Sequence, residues 1–392
     1  MDIYNEMVLM RDNVGFIGFD GTECKRAIFA IHSVKEKENI SGELNVLLRK
    51  PHARAKSMLA KQKRICSIRA FLSDEIDREK WESAGAVIEG SMQEFFEKSD
   101  VVVVGTPAGY ETPYVQSCIL HGCSAILMGG ANRSKIREDL AKNGVAIPEE
   151  IANDLKREFF FGLANYKKFL NSGAKLVQCT SCNTTAISRA VLAVKPLGLQ
   201  AVVGNLDRRQ GDPHDVVRVS PGAVQFGLGV GHQGKDASTV FNEVRFSIRA
   251  SKVPTTVPHV HHLSFIFQGD VSPEEVKDHL SRTNRVVIVP YQDEGRVHDW
   301  TSEILEAFVS SFERPISPEI YELLASDAMI PFSLGDYTLI QTVLMVEQMS
   351  IPVPNYVEAY LLFCGFDAEK VHGVVDKHLG CVHGIWPDDL SI

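Results

Sequence analysis

The residues of this chain best suited to chemistry sit where a strand pattern meets a helix pattern. Lys175-Leu176-Val177-Gln178-Cys179 reads as a strand and Asn183-Thr184-Thr185-Ala186-Ile187-Ser188-Arg189 as the first turns of a helix, which puts Cys182 at the helix N-terminus. The helix dipole and the backbone amides there stabilise a thiolate, and the same amides can hold an oxyanion. Nucleophilic attack on a carbonyl is the chemistry on offer. A Cys179/Cys182 redox pair would use the same strand-to-helix setting, and the local pattern leaves it open. Further on come His259-Val260-His261-His262. Alternate positions of a strand share a face, so His259 and His261 could act together as acid and base or hold a metal. No cysteine or carboxylate cluster accompanies them, which weighs against metal. Arg208 and Arg209 are adjacent cations suited to a phosphate, or to surface ion pairs.

A second chemical feature lies near the start. Gly15, Gly18 and Gly21 fall between a strand pattern and Lys25-Arg26-Ala27-Ile28-Phe29, the order of a dinucleotide-binding turn, where glycines let backbone amides approach a pyrophosphate. Gly18-Phe19-Asp20-Gly21-Thr22-Glu23-Cys24 is one residue longer than that motif and puts Cys24 at the third glycine. Asp20 and Glu23 add carboxylates that are expected to repel a phosphate. One strand later, Leu48-Arg49-Lys50-Pro51 and Arg54 supply cations where enzymes specific for NAD carry an acid, which favours NADP over NAD. A solvated basic loop is the plain alternative.

These residues need a frame. Apolar runs at Val14-Gly15-Phe16-Ile17-Gly18, Leu44-Asn45-Val46-Leu47-Leu48, Val101-Val102-Val103-Val104-Gly105 and Ser124-Ala125-Ile126-Leu127 alternate with helical patterns. Strands apolar on both faces imply a parallel sheet covered on both sides, a doubly wound (Rossmann) α/β domain over residues 1–164. A mixed-sheet α+β catalytic domain is expected over 165–352. It opens on the strand at Lys175 to Cys179 and continues with a helix to Val194 and a strand at Leu199 to Gly204. Strands at Val240 to Ala250, Leu263 to Gln268 and Asn284 to Pro290 complete the reading, with a helix at Ser272 to Arg282. The segment from about 353 to 392, opened by an apolar helix through Phe363, is expected to return to the first domain.

Bulk properties agree with a two-domain soluble protein: 392 residues, 44% hydrophobic and 23% charged. A net charge of -9 leaves no overall basic face for nucleic acid or anionic lipid. The acidic residues Asp2 and Glu6 precede any apolar stretch, unlike a secretory signal, and no apolar run reaches the ~18 residues of a membrane span. A cytoplasmic location is expected. Eight scattered cysteines form neither a disulfide framework nor a zinc motif.

Ser181-Cys182-Asn183-Thr184-Thr185 resembles the nucleophile motif of the archaeal-type glyceraldehyde-3-phosphate dehydrogenases. In the same order, Thr106-Pro107-Ala108-Gly109 resembles the loop after that family's cofactor-domain strand, and Ala164-Asn165-Tyr166 its entry into the catalytic domain. Asp207-Arg208-Arg209-Gln210-Gly211-Asp212-Pro213 resembles its twin-arginine segment, Val253-Pro254-Thr255-Thr256-Val257-Pro258-His259-Val260-His261 its histidine segment, and Ile351-Pro352-Val353-Pro354-Asn355 the start of its last helix. The resemblance covers nearly the whole chain.

It implies an aldehyde dehydrogenase in which Cys182 forms a thioester, with His261 first and His259 second as acid/base. Asn183, Thr184, Thr185, Arg208, Arg209 and His232 would hold substrate and phosphate. Gly15, Gly18, Gly21, Thr22, Arg49, Lys50, Thr106, Pro107 and Gly129 would hold NADP or NAD. A small or phosphorylated aldehyde and inorganic phosphate would give an acyl phosphate in a metal-free homotetramer. Three departures leave the aldehyde open: Ala186 replaces a glycine, Gly231-His232-Gln233-Gly234-Lys235-Asp236 replaces a paired-histidine segment, and residues 131 to 163 are longer. Alternatives are the reverse reduction of an acyl phosphate in a biosynthetic route, and a non-catalytic redox-sensing paralogue using Cys179 and Cys182.

Overall fold

The computed structural model describes residues 12–211, 224–255, 258–290, 307–312, 314, 319–386 and 389–391. They divide into two compact units, one of residues 1–179 with 355–374 and one of residues 180–354 with 375–392.

The first unit begins β1 (Val14–Ile17), α1 (Cys24–Lys37), β2 (Leu44–Leu48), α2 (Ala53–Ile65), β3 (Ile68–Leu72), α3 (Arg78–Glu82), β4 (Ile88–Ser91), α4 (Met92–Glu97) and β5 (Val101–Val104). It continues with α5 (Thr112–His121), β6 (Ser124–Leu127), α6 (Arg133–Lys142), α7 (Glu149–Asp154), α8 (Gly162–Ser172) and β7 (Leu176–Gln178). The strands form one parallel sheet in the order β4-β3-β2-β1-β5-β6-β7. Every residue of β1, β2, β5 and β6 is buried, so both faces are covered. This is the doubly wound fold expected from the apolar runs. The strand order reverses between β1 and β5, which opens a crevice at their C-terminal ends.

Two boundaries differ from the sequence reading. The strand at Leu176–Gln178 pairs in parallel with β6, as Ala125↔Leu176 and Leu127↔Gln178, and so closes the first sheet instead of opening the second domain. Crossover helix α8 carries the chain back to that edge, and the unit boundary lies at Thr180 rather than near Ala164. At the other end only part of the tail joins the first unit. Tyr360, in the helix Val353–Phe363, donates its hydroxyl to the Asp12 carbonyl at 3.1 Å and accepts from buried Lys35 at 3.0 Å. Beyond Val374 the chain belongs to the second unit, because Asp376 pairs with fully buried Arg285 and the strand from His383 hydrogen-bonds beside Val287.

The second unit contains α9 (Cys182–Val194), β8 (Leu199–Arg209), β9 (Gln225–Phe226), α10 (His232–Val240), β10 (Arg245–Val253), β11 (Pro258–Gln268) and α11 (Pro273–Ser281). β12 (Val286–Val289), β13 (Leu323–Ser326), β14 (Ile330–Leu334), β15 (Tyr337–Glu347), β16 (His383–Ile385) and β17 (Asp389–Ser391) follow. Among the described residues the sheet runs β17-β16-β12-β13-β15-β11-β8-β10-β9, with β14 paired to β15. It is mixed: β10 lies parallel to β8, and β11 antiparallel to both β8 and β15. Period-two burial along β11 puts His259, His261, Leu263, Phe265 and Phe267 on one face. The strand expected from Val240 begins only at Arg245, because residues up to Val240 complete α10. No helix among the described residues is long and apolar enough to cross a membrane.

Candidate active site

Cys182 is the first residue of α9, as the strand-to-helix pattern implied. Ser181 caps the helix from an extended backbone (φ −67°, ψ 168°), its hydroxyl accepting from the Thr184 amide at 3.4 Å. Further along, the fully buried Arg189 guanidinium donates to the carbonyls of Arg285 (3.3 Å), Tyr321 and Ile351 (2.9 Å), which pins the helix against the sheet. Cys182 is left 6% exposed.

His261 reaches this helix from β11. Its Nε2 lies 2.9 Å from Asn183 Oδ1, and Asn183 Nδ2 donates to Cys182 Sγ at 3.5 Å. An amide oxygen can only accept, so Nε2 carries the proton and Nδ1 holds the lone pair. His261 is fully buried and its Nδ1 has no hydrogen-bond partner. Burial first, then the neighbouring His259, His262 and Arg208, hold its pKa well below the ordinary histidine value. The ring is therefore neutral at pH 7, the state of a base. His259 shares the face but is engaged elsewhere: Nε2 meets Gln348 Oε1 at 2.5 Å, and burial pushes its pKa down to about 3. His262 points the other way, toward Asp207 at 3.4 Å.

The twin arginines do different things. Arg209 is buried and its Nε donates to the same Gln348 oxygen as His259, so it is a scaffold cation. Arg208 is partly buried, its Nε has no hydrogen-bond partner, and burial holds its pKa below the ordinary value while the nearby Cys182 sulfur acts in the opposite direction. Thr184 and Thr185 are both fully buried. The Thr184 hydroxyl lies 3.0 Å from Ser181 Oγ, and the Thr185 hydroxyl 2.8 Å from Thr180 Oγ1, so helix capping and local packing engage both. His232 opens α10, largely exposed, with Nδ1 2.8 Å from Asp236. Asp212, Pro213, Thr256 and Val257 lie outside the described residues.

In the first unit the turn after β1 is held by two glycines for steric reasons. Gly18 has φ +80°, and a Cβ there would stand 2.4 Å from the Gly105 carbonyl at the end of β5; one on Gly21 would stand 2.9 Å from the Gly18 carbonyl. Gly15 does not belong to this turn. It sits inside β1, where a Cβ would meet the Phe95 ring at 2.6 Å, so it serves packing instead of cofactor approach. The Glu23 carboxylate, expected to repel a phosphate, accepts from the Tyr356 hydroxyl at 2.5 Å, which fixes its position. Asp20 is held too: its carboxylate lies 3.2 Å from His52 Nε2 and its carbonyl accepts from Arg54. A cavity of about 260 Å³ opens beside the turn, and Asp20, Arg49, Lys50, His52 and Trp81 are among its lining. Thr22 turns its carbonyl to Arg26 at 2.7 Å. After β5, Thr106 Oγ1 is buried without a hydrogen-bond partner, and Pro107 is exposed beside it. Gly129, buried past β6, accepts from Gln178 at 3.5 Å. A glycine-lined turn, two cations and an unsatisfied hydroxyl at a strand-order reversal fit a dinucleotide.

No family model matches the chain. Individual relatives do. Glyceraldehyde-3-phosphate dehydrogenase of Pyrococcus abyssi is 28% identical over 376 residues, 95% of this chain and 99% of that protein. Glyceraldehyde-3-phosphate dehydrogenase 1 of Methanosarcina barkeri is 28% identical over 302 residues, 76% of this chain and 79% of its own length. Among solved structures, aspartate semialdehyde dehydrogenase II of Vibrio cholerae matches with a TM-score of 0.58 over 90% of this chain and 98% of that one, at 11% identity, which shows a shared fold.

Several residues of these sites carried no sequence signal. Gln348 stands one residue past β15 with nothing in its neighbours to mark it, yet it ties His259 to Arg209. His52, at the N-cap of α2, and Trp81, in α3, line the cavity, and Tyr356 reaches Glu23 across 333 positions of sequence. Cys179 shows why the redox pair finds no support: its thiol is fully buried, donates to the Asn355 carbonyl at 3.7 Å, and burial, then Glu358 and Glu23, push its pKa well up. Among the described residues no group of His, Cys, Asp and Glu is arranged to hold a metal.

Proposed function

We propose that this chain is an NAD(P)-dependent, phosphorylating aldehyde dehydrogenase that works through Cys182. The observation that carries the reading is the Asn183 amide, which joins a buried neutral imidazole, His261, to a cysteine at a helix N-terminus. Cys182 Sγ adds to the carbonyl carbon of an aldehyde and forms a hemithioacetal. His261 Nδ1, the unpartnered lone pair, accepts the hydroxyl proton. When bound, the nicotinamide nucleotide supplies the two-electron acceptor that turns the hemithioacetal into a thioester. Arg208 then presents inorganic phosphate to the thioester carbon, the C–S bond breaks, and an acyl phosphate leaves with the thiolate restored.

The turn at Gly18 to Thr22 and the hydroxyl of Thr106 would hold the nucleotide, with Arg49 and Lys50 toward the adenosine ribose, which favours NADP. The names of the relatives put glyceraldehyde 3-phosphate at the head of the substrates to try, and a homotetramer is proposed on the same similarity. The test is absorbance of the reduced nicotinamide with a panel of phosphorylated and small aldehydes plus phosphate, and with acyl phosphates in reverse. Turnover should appear with the unmodified protein and vanish in Cys182→Ser without loss of fold or cofactor binding. Activity that survives Cys182→Ser would overturn the reading.

A further inference from the structure

The residue that lengthens the phosphate turn, Asp20, lies in the cavity that also holds Arg49 and Lys50. Enzymes that prefer NAD place a carboxylate at this region of a doubly wound fold to accept from the ribose hydroxyls, and those that prefer NADP place cations there. This chain has the cations there, and Asp20 reaches the same cavity from the phosphate turn. An unrestrained Asp20 carboxylate would bind a ribose hydroxyl and repel a ribose phosphate, so what holds that carboxylate decides which cofactor the cations select.

His52 holds it. The Ala55 amide donates to His52 Nδ1 at 3.3 Å, so that nitrogen is the acceptor and caps α2. Nε2 therefore carries the hydrogen, and it faces Asp20 Oδ2 at 3.2 Å. The cap thus fixes the ring with Nε2 turned toward the carboxylate. Arg54, also in the first turn of α2, donates to the Asp20 carbonyl and fixes the backbone from which the carboxylate projects. Two residues of one helix end restrain the one extra residue of the turn.

We infer that His52 is a specificity-determining residue, which by occupying the Asp20 carboxylate keeps it from the adenosine ribose and lets Arg49 and Lys50 take a 2′-phosphate. The inference rests on the nicotinamide-dependent reading above and names which residues set its cofactor preference. His52 is a positioning residue, acting through Asp20.

Direct titration of NADP and NAD, followed by calorimetry without turnover, tests it on the full chain. His52→Asn keeps an N-cap side chain for α2 but is too short to hold Asp20. It should lower the NADP-over-NAD affinity ratio by up to about fivefold, the scale of an exposed pair. Asp20→Asn should raise the ratio by about tenfold, the scale of one charged contact, and should make His52→Asn silent in the double variant. Equal ratios in all four proteins, or a His52→Asn effect undiminished in the Asp20→Asn background, would overturn the inference and leave the enzyme reading standing. No binding of either nucleotide to the unmodified protein at millimolar concentration would overturn both. Circular dichroism of each variant separates a lost fold from a changed preference.

Discussion

Replacing Asn183 with alanine removes a side chain that touches both His261 and Cys182. His261 is fully buried, and Asn183 Oδ1 accepts its Nε2–H at 2.9 Å. Without that acceptor a buried N–H is stranded, which costs about 1 to 3 kcal/mol of stability. The ring then loses its reason to keep the proton on Nε2, so the lone pair on Nδ1 is no longer assured. General bases contribute roughly 10²- to 10⁴-fold, and misplacing one should forfeit a part of that, about 10- to 100-fold in the chemical step. Urea unfolding gives the first number and single-turnover thioester formation the second.

Alkylation by iodoacetamide supplies a readout that needs no substrate. Burial pushes the thiols of Cys24, Cys66, Cys118, Cys179, Cys364 and Cys381 up, and Cys123 is buried between the carbonyls of Phe96 and Ser99, so Cys182 should label first. Asn183→Asp keeps an acceptor for His261 but places a negative charge beside Cys182 Sγ. It should recover most of the stability lost in Asn183→Ala and label more slowly than the unmodified protein. An Asn183→Ala protein with unchanged stability and unchanged turnover would refute the bridge and with it the role given to His261.

The buried histidines also make the fold acid-sensitive. His259 is neutral and buried with a folded pKa of about 3, against about 6.5 in the unfolded chain, so the unfolded state takes up the proton as pH falls through that window. Neutral in both states well above pH 6.5, it costs nothing there; by pH 4.5 stability should be down by roughly 2 to 3 kcal/mol, with His261 acting in the same sense. His259→Asn should flatten that loss by a similar amount in unfolding curves, and an identical acid slope would count against the burial argument. Gln348→Met strips both His259 and Arg209 of an acceptor; stability should drop by about 1 to 3 kcal/mol and thioester breakdown by phosphate should slow, whereas a silent variant would make the bridge incidental. Arg49→Ala with Lys50→Ala should weaken NADP at least about tenfold and leave NAD nearly unchanged. Equal losses for both nucleotides would remove those cations from the ribose site.

Local signals in this chain were legible because their causes lie within a few residues. The all-apolar runs at 14–17 and 101–104 read as strands covered on two faces, and Ser181 ahead of Cys182 caps a helix through an amide three positions on. That was enough for a doubly wound domain, a second mixed-sheet domain and a cysteine on a helix end. What the tertiary structure alone decided are choices between equal local readings. Leu176–Gln178 is a strand under either assignment, and only its register against β6 places it in the first sheet. Arg208 and Arg209 are indistinguishable in sequence, yet Gln348, 139 positions from Arg209, captures one and leaves the other's Nε without a partner. His259 and His261 share a strand face, and a contact across 78 positions selects His261 for the helix of Cys182. Glu23 and Asp20 looked alike as intruding carboxylates until Tyr356 took one and His52 the other. In each case the deciding partner is brought in by strand pairing or by a returning helix, and the free energy of that contact depends on burial and geometry that neighbouring residues do not encode.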